Sequence, residues 1–186
     1  MLAMIACANV IKTILEKLAF AAGWLLIVLM CITCTDIFCR KLGIPIPLTK
    51  FQELEYYLHT AVFSLWMGYN YAINAHPRVD SYTETLGYRV RAWIELVGCL
   101  VFALPYMGIL VYFGWDFFWT SYFQDEASEN ALGWGNRWVV KGVFYFGLWL
   151  VVLGIISVMA RLIAYLFGGL EQKTTGLDLG HVELEA

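Results

Sequence analysis

The chain has 186 residues, of which 61% are hydrophobic, 17% aromatic and only 15% charged, and its formal net charge is −3. Soluble domains carry roughly 45–50% apolar and about 25% charged residues, so this composition excludes a water-soluble globular protein. The small net charge and the lack of a basic run argue against nucleic acid as a partner, and five cysteines without regular spacing do not form a secreted disulfide framework.

Four apolar segments are long enough to cross a bilayer as helices. A hydrocarbon core about 30 Å thick takes about 20 helical residues, and none of the segments shows the alternation of a membrane barrel strand. The sequence therefore predicts an all-α membrane protein, with a four-helix transmembrane domain over residues 1–169. Its spans are expected at about 18–39, 51–75, 92–115 and 139–160.

The flanking segments are expected to lie at the membrane surface or in water. Residues 1–17 predict a short amphipathic helix and not a cleavable signal, because Lys12, Glu16 and Lys17 follow the first apolar residues. Ser81–Tyr88 could form a short interfacial helix, and the aromatic-rich connection Asp116–Trp138 is expected along the outer interface. Residues 170–186 form a polar tail that is expected to be cytoplasmic and mobile.

The lysines and arginines of the connections predict the orientation. The N-terminus, the connection between the second and third spans and the tail carry more of them than the two connections on the other side. The positive-inside rule then places both termini in the cytoplasm.

The second span differs from the others because polar side chains share one of its faces. Spaced three or four residues apart, these positions are Gln52, Glu55, His59, Phe63, Trp66, Asn70 and Asn74. A polar stripe is unfavourable against lipid tails, so it is expected to face protein or a water-filled cavity. Three readings remain open: Glu53, Glu55 and His59 cap the helix at headgroup depth, the stripe contacts another membrane subunit, or it relays an ion or proton.

The remaining intramembrane features predict packing. Ser64, Gly68 and Ala72 form a small-xxx-small pattern that lets helices approach closely, and Gly142, Gly147 and Gly154 mark the fourth span as a packing helix. Asp36 and Arg40 have the spacing of a helical ion pair. Pro105 is expected to loosen the third span because it has no N–H to donate.

No catalytic, metal or cofactor site is predicted. Cys31 and Cys34 could be the redox pair of a four-helix membrane thiol/quinone oxidoreductase, but they lie within an apolar helix without a second pair for relay, and are expected to be buried as small hydrophobes. His59 and His76 are about 25 Å apart along one helix, too far to ligate one haem iron.

The second span and its exit resemble the small membrane subunit of tripartite ATP-independent periplasmic (TRAP) transporters. The resemblance rests on Pro47–Leu86, with an acidic Gln-Glu-Leu-Glu entry at 52–55, Gly68–Tyr69, and a His-x-Arg-Val-Asp motif that holds His76, Arg78 and Asp80. It continues less specifically through Leu18–Leu166, and Pro77 within the motif departs from the family pattern.

The resemblance implies a scaffold and not an enzyme. Such subunits pair with a large sodium-coupled permease subunit of the same transporter, to which a periplasmic substrate-binding protein delivers an organic acid. The implied location is the bacterial cell inner membrane. We expect the partner-subunit interface to include Glu53, Glu55, His59, Trp66, Asn70, His76 and Asp80. Membrane phospholipid headgroups are expected at Arg78, Arg89 and Arg91, where simple positive-inside topology is an equally good explanation.

Overall fold

The computed structural model of the protein describes residues 1–45, 47–75, 85–169 and 172–177, and over these residues it is helical with no β-strand. A π-helical turn at Cys99–Ala103 joins two helices into one continuous helix. The predicted site residues His76, Arg78 and Asp80 lie outside the described residues, as do residues 81–84 and 178–186. The helices are α1 (Leu2–Leu42), α2 (Leu48–Ala72), α3 (Tyr88–Gly98), α4 (Leu104–Phe123), α5 (Trp138–Gly168) and α6 (Gln172–Thr175).

Three helices are long and apolar enough to cross a membrane. They are α1 with 41 residues, the continuous α3–α4 helix with 36, and α5 with 31. The all-α class is therefore confirmed, and three of the helices are candidates for the predicted spans. α2 has 25 residues, a sufficient length at about 1.5 Å per residue, but its polar side chains leave it less apolar than these three.

The segment 1–17 is not the separate amphipathic helix predicted above; it is the first part of α1. No glycine or proline precedes Gly23, so nothing breaks the helix there. The Ser157 hydroxyl of α5 donates to the Ala8 carbonyl at 3.1 Å, which ties this part of α1 to the bundle. Buried residues recur every seven positions, the period of helices that pack in coiled-coil fashion, at Ala8, Leu15, Ala22, Leu29 and Asp36.

α5 is the central helix of the bundle. It packs against α1, α2, α3 and α4, whereas α2 packs between α1 and α5. Its buried side chains include Leu150, Ile155 and Leu162, each no more than 2% exposed. We call the end of the bundle with Met1 and Gly168 the terminal end, and the end with the α1–α2 and α4–α5 connections the loop end. Met1 packs beside Gly168, which places the start of α1 at the end of α5.

Glycines bring α2 and α5 into backbone contact. A Cβ added at Gly68 of α2 would lie 2.5 Å from the Leu150 carbonyl oxygen. One added at Gly147 or Gly154 of α5 would lie 2.5 Å from Ser64 Cβ or 2.6 Å from the Gly68 carbonyl oxygen, respectively. The predicted packing role of the small residues on both helices is therefore confirmed.

The third spanning helix widens directly before Pro105. A proline ring clashes with the carbonyl four residues earlier, and the π-helical turn Cys99–Ala103 opens the hydrogen-bond ladder at that place. The predicted loosening is confirmed. The connection predicted over Asp116–Trp138 is shorter than expected, because α4 continues to Phe123 and the connecting loop is 124–137. Rings four residues apart stack along this last part of α4, with Trp115 and Trp119 centroids 4.9 Å apart.

Residues 172–177 pack against the terminal end of the bundle, although the tail was expected to be mobile. Thr175 is fully buried, and Leu177 joins a core cluster with Leu162 and Leu166. Arg161, only 4% exposed, donates to the Thr175 carbonyl and to Asn9 Oδ1, both at 2.7 Å. One buried leucine and one buried arginine therefore hold a segment whose composition is otherwise polar.

Candidate partner-facing surface

α1 and α5 cover two sides of α2 and leave the predicted polar stripe partly open. Gln52, His59, Phe63 and Asn70 are exposed, whereas Glu55, Trp66 and Asn74 are half-buried. The exposed residues follow helical spacing, so they share one uncovered face. The structure therefore brings these predicted residues together along α2, and some of them make contacts within the chain.

Glu53 fastens the loop 124–137 to α2. Its carboxylate accepts hydrogen bonds from the Ser128 hydroxyl and, at 2.6 Å, from the Trp134 backbone N–H. The Trp134 indole in turn donates to the Lys50 carbonyl at 3.0 Å. The sequence predicted Glu53 at the partner interface, and its carboxylate is occupied by this loop. No sequence pattern indicated the contact between Glu53 and Trp134, because the two residues are far apart in the chain.

Trp66 joins α1 to α2. Its indole N–H donates to the Ala19 carbonyl at 2.7 Å, which turns the ring towards α1. Asn70, one helical turn later, stays exposed. The polar tip of Trp66 is therefore used inside the chain, while Asn70 is open to a neighbour.

A polar cluster links α1 and α2 at the loop end. Arg40 Nε lies 2.7 Å from Asp36 Oδ2, so the predicted helical ion pair is confirmed. With its amide turned so that the oxygen faces Arg40, Gln52 would accept from the guanidinium at 2.6 Å. Asp36 is 5% exposed. Charged side chains that are paired and hydrogen-bonded in this way are tolerated at the edge of a membrane.

The exposed side of His59 lines a groove of about 550 Å³ between α2, α4 and α5. Its polar wall is formed by Glu126, Arg137 and Lys141. Lys141 donates to Glu126, and this contact holds the pKa of the Glu126 carboxyl below its usual range. The groove thus has a polar edge at the loop end of the bundle, where one carboxylate faces two cations.

A second groove, of about 490 Å³, lies between α1 and α2. We call it the α1–α2 groove. It is mainly apolar, and Asn70 of the predicted stripe opens into it. The sequence analysis did not identify Glu16 as part of this groove, because the first span was expected to begin only at Leu18. Its lining includes Glu16, Phe20, Trp24, Trp66, Tyr69 and Asn70.

The arginines predicted at lipid headgroups begin α3 at the terminal end. Arg89 is exposed, and Arg91 is half-buried and donates from Nε to the Leu86 carbonyl at 3.0 Å. Arg78 lies outside the described residues.

Nothing in the described part of the chain supports redox or metal chemistry. Among the residues searched there, no group of three or more His, Cys, Asp or Glu side chains could hold a metal ion. Cys31 and Cys34 are free and lie on the outside of α1, where no other described part of the chain covers them. They face outward because the buried stripe of α1 passes through Leu29 and Asp36. The alternative of a thiol oxidoreductase is not supported.

One family of known proteins matches this chain. The profile described as "Tripartite ATP-independent periplasmic transporters, DctQ component" matches residues 29–165, well over half of the sequence. No curated protein and no solved structure matches it. The matched region includes α2, the α3–α4 helix and most of α5, and excludes the first part of α1.

Proposed function

Because this chain belongs to the DctQ family, the small permease subunits of TRAP transporters, we propose that it braces the large permease subunit of such a transporter in the bacterial inner membrane. The family consists of transporter components and not of enzymes. The large subunit would carry the sodium and substrate sites, and a periplasmic binding protein would deliver an organic acid to it. The observation that carries this proposal is the family match over residues 29–165.

α2 is the fourth span in this proposal. Its 25 residues extend about 37 Å, enough for a hydrocarbon core of about 30 Å. Its place between α1 and α5 supports the assignment, because both neighbours are apolar enough to span. Both termini would then lie in the cytoplasm, and Arg78, Arg89 and Arg91 would gain about 1 kcal/mol each from anionic headgroups.

The partner-facing surface would be the uncovered side of α2. Glu55, His59, Trp66 and Asn70 belong to it, with His76 and Asp80 at its exit. Glu53 would act indirectly, since its carboxylate holds the loop 124–137 beside this surface. The scaffold would widen the fixed framework of the complex, so that it resists being dragged along when the transport domain of the large subunit moves.

Reconstitution tests the proposed role. The large subunit is placed in liposomes alone or with this chain, under an inward sodium gradient and with the binding protein outside. The labelled substrate is the acid that co-purifies with that binding protein. We expect sodium-driven uptake only when both membrane subunits are present. Full uptake by the large subunit alone would show that no scaffold is needed.

A further inference from the structure

The groove of about 550 Å³ between α2, α4 and α5 combines charged and apolar walls. We call it the loop-end groove. Arg137 and Lys141 of α5 line it together with Glu126 of the connecting loop, and Phe63 of α2 and Phe144 of α5 supply apolar surface. Phe63 is 55% exposed, so this apolar surface is not covered by the rest of the described chain.

The polar and apolar walls lie at different levels of the groove. α2 and α5 both start at the loop end, so they run in the same direction, and Gly147 of α5 packs on Ser64 of α2. His59, five residues before Ser64, is therefore level with Lys141 to within about 2 Å. Phe63 lies about 6 Å further towards the terminal end. The groove thus changes from polar to apolar away from the loop end.

The three helices that line the groove all become apolar at this level. Within α2, no Asp, Glu, Lys or Arg follows Glu55, and on α5 none lies between Lys141 and Arg161. On α4, which runs in the opposite direction, none lies between Glu95 and Asp116. Stacked tryptophan and tyrosine rings gather at this end of α4, as they do where lipid headgroups meet hydrocarbon.

The polar wall offers N–H donors that this chain leaves largely unused. Arg137 Nη1 lies 3.8 Å from Glu126 and 3.9 Å from Glu129, both longer than a hydrogen bond, and its side chain is 30% exposed. His59 is exposed and makes no hydrogen bond within the described residues. Lys141 binds Glu126 through one of its three N–H groups. Two cations and an imidazole therefore converge on the groove beside a single carboxylate.

A phosphate group suits this set of donors. It carries negative charge and several acceptor oxygens, and arginine binds such oxygens with paired N–H groups. A phospholipid joins its phosphate to long apolar chains, in the same order as the walls of the groove. Inorganic phosphate would use only the polar wall and leave Phe63 and Phe144 bare.

We propose that the loop-end groove binds one phospholipid, with its phosphate at Arg137 and His59 and an acyl chain along Phe63 and Phe144. The site lies wholly within this chain, so the inference does not depend on the proposed function. It assigns His59 to a lipid.

This site is separate from the other surfaces described above. The headgroup contacts expected at Arg89 and Arg91 lie at the terminal end, at the start of α3. Trp66 and Asn70 lie deeper on α2 and do not line the loop-end groove, so they remain available to the proposed partner-facing surface.

Lipid titration followed by native mass spectrometry tests the site. The full chain is purified in detergent, stripped of lipid, and titrated with dioleoyl phosphatidylethanolamine, with dioleoylglycerol, which has the same chains and no phosphate, or with inorganic phosphate. We expect one phosphatidylethanolamine per chain, bound at least tenfold more tightly than dioleoylglycerol. Equal binding of the two lipids would overturn the phosphate contact. Binding of inorganic phosphate as tight as that of the lipid would overturn the acyl-chain contact.

Arg137→Gln removes the proposed phosphate ligand, and Lys41→Gln removes an equal charge at the loop end outside the groove. We expect Arg137→Gln to weaken phosphatidylethanolamine binding about tenfold or more and Lys41→Gln to leave it unchanged. Without lipid, both variants should unfold at the wild-type temperature, because the ion pairs of Arg137 are long and partly exposed.

His59→Leu provides a second variant, since the exposed imidazole makes no hydrogen bond within the described chain and its loss should not disturb folding. We expect it to weaken lipid binding about threefold or more. Wild-type affinity in both Arg137→Gln and His59→Leu, or an equal loss in Lys41→Gln, would overturn the inference.

Discussion

Replacing Gly68 with alanine is expected to destabilise the bundle by about 1–3 kcal/mol. The added methyl would lie 2.5 Å from the Leu150 carbonyl oxygen and 2.6 Å from its carbon. Backbone atoms in a helix cannot rotate away as a side chain can, so α2 and α5 must move apart. Because α2 also packs on α1, the separation would loosen two interfaces at once. Thermal unfolding in detergent should show a midpoint several degrees below that of the wild type.

Gly108→Ala is the control for this variant. It lies within α4, where the added methyl meets nothing within 4 Å, and alanine is favoured over glycine in a helix by about 1 kcal/mol. We expect this variant to unfold at the wild-type temperature or slightly above it. An equal loss of stability in both variants would show that the close approach of α2 to α5 does not govern the effect.

Replacing Glu53 with glutamine is expected to release the loop 124–137 from α2. The carboxylate accepts from both Ser128 and the Trp134 N–H, and an amide offers one oxygen in place of two. Hydrogen bonds to charged groups contribute about 1.5–3 kcal/mol, reduced here because the contact is partly exposed, so we expect a loss of about 1–2 kcal/mol. Hydrogen exchange of the Trp134 amide should then be about five- to thirtyfold faster.

Glu129 gives the matched control within the same loop. Its side chain is 92% exposed, and its contact with Arg137 is 3.9 Å long. Glu129→Gln should leave the exchange of the Trp134 amide unchanged. If Glu53→Gln also leaves it unchanged, the loop is held by the Trp134 indole on Lys50 and not by the carboxylate.

Much of the fold could be predicted from local chemistry. Long uncharged runs identify spanning helices because lipid offers no other partner to the backbone. The small residues Gly68, Gly147 and Gly154 indicated close packing of helices. Pro105 indicated weakened backbone hydrogen bonding in the third span. These features act over one or two helical turns, so a sequence displays them directly.

The register between helices could not be predicted in this way. The start of the first span was placed at Leu18, by its charge boundary, whereas α1 begins at Leu2 and already contacts α5 at Ala8. A long helix can slide along its neighbours without any change in local pattern, and only tertiary contacts set its level. The contact between Glu53 and Trp134 could not be predicted either, because these residues are far apart in sequence and only the tertiary fold brings them together.

The exposed polar face of α2 was predicted in part. The α2 face was identified from its polar spacing, and Asn70 and His59 are exposed on it. Trp66 is half-buried and Glu53 contacts the loop. A polar side chain on an apolar helix can therefore bind either within its own chain or to a partner. Spacing alone cannot separate them, because both place polar atoms on one face.

Co-purification with the large permease subunit tests the central claim most directly. Both chains are expressed together, the tag is placed on the large subunit, and the detergent extract is passed over an affinity column and then a sizing column. We predict that this chain stays with the large subunit in one peak through both steps. Recovery of a folded, monodisperse large subunit without this chain would contradict its role as a permanent brace of the transporter.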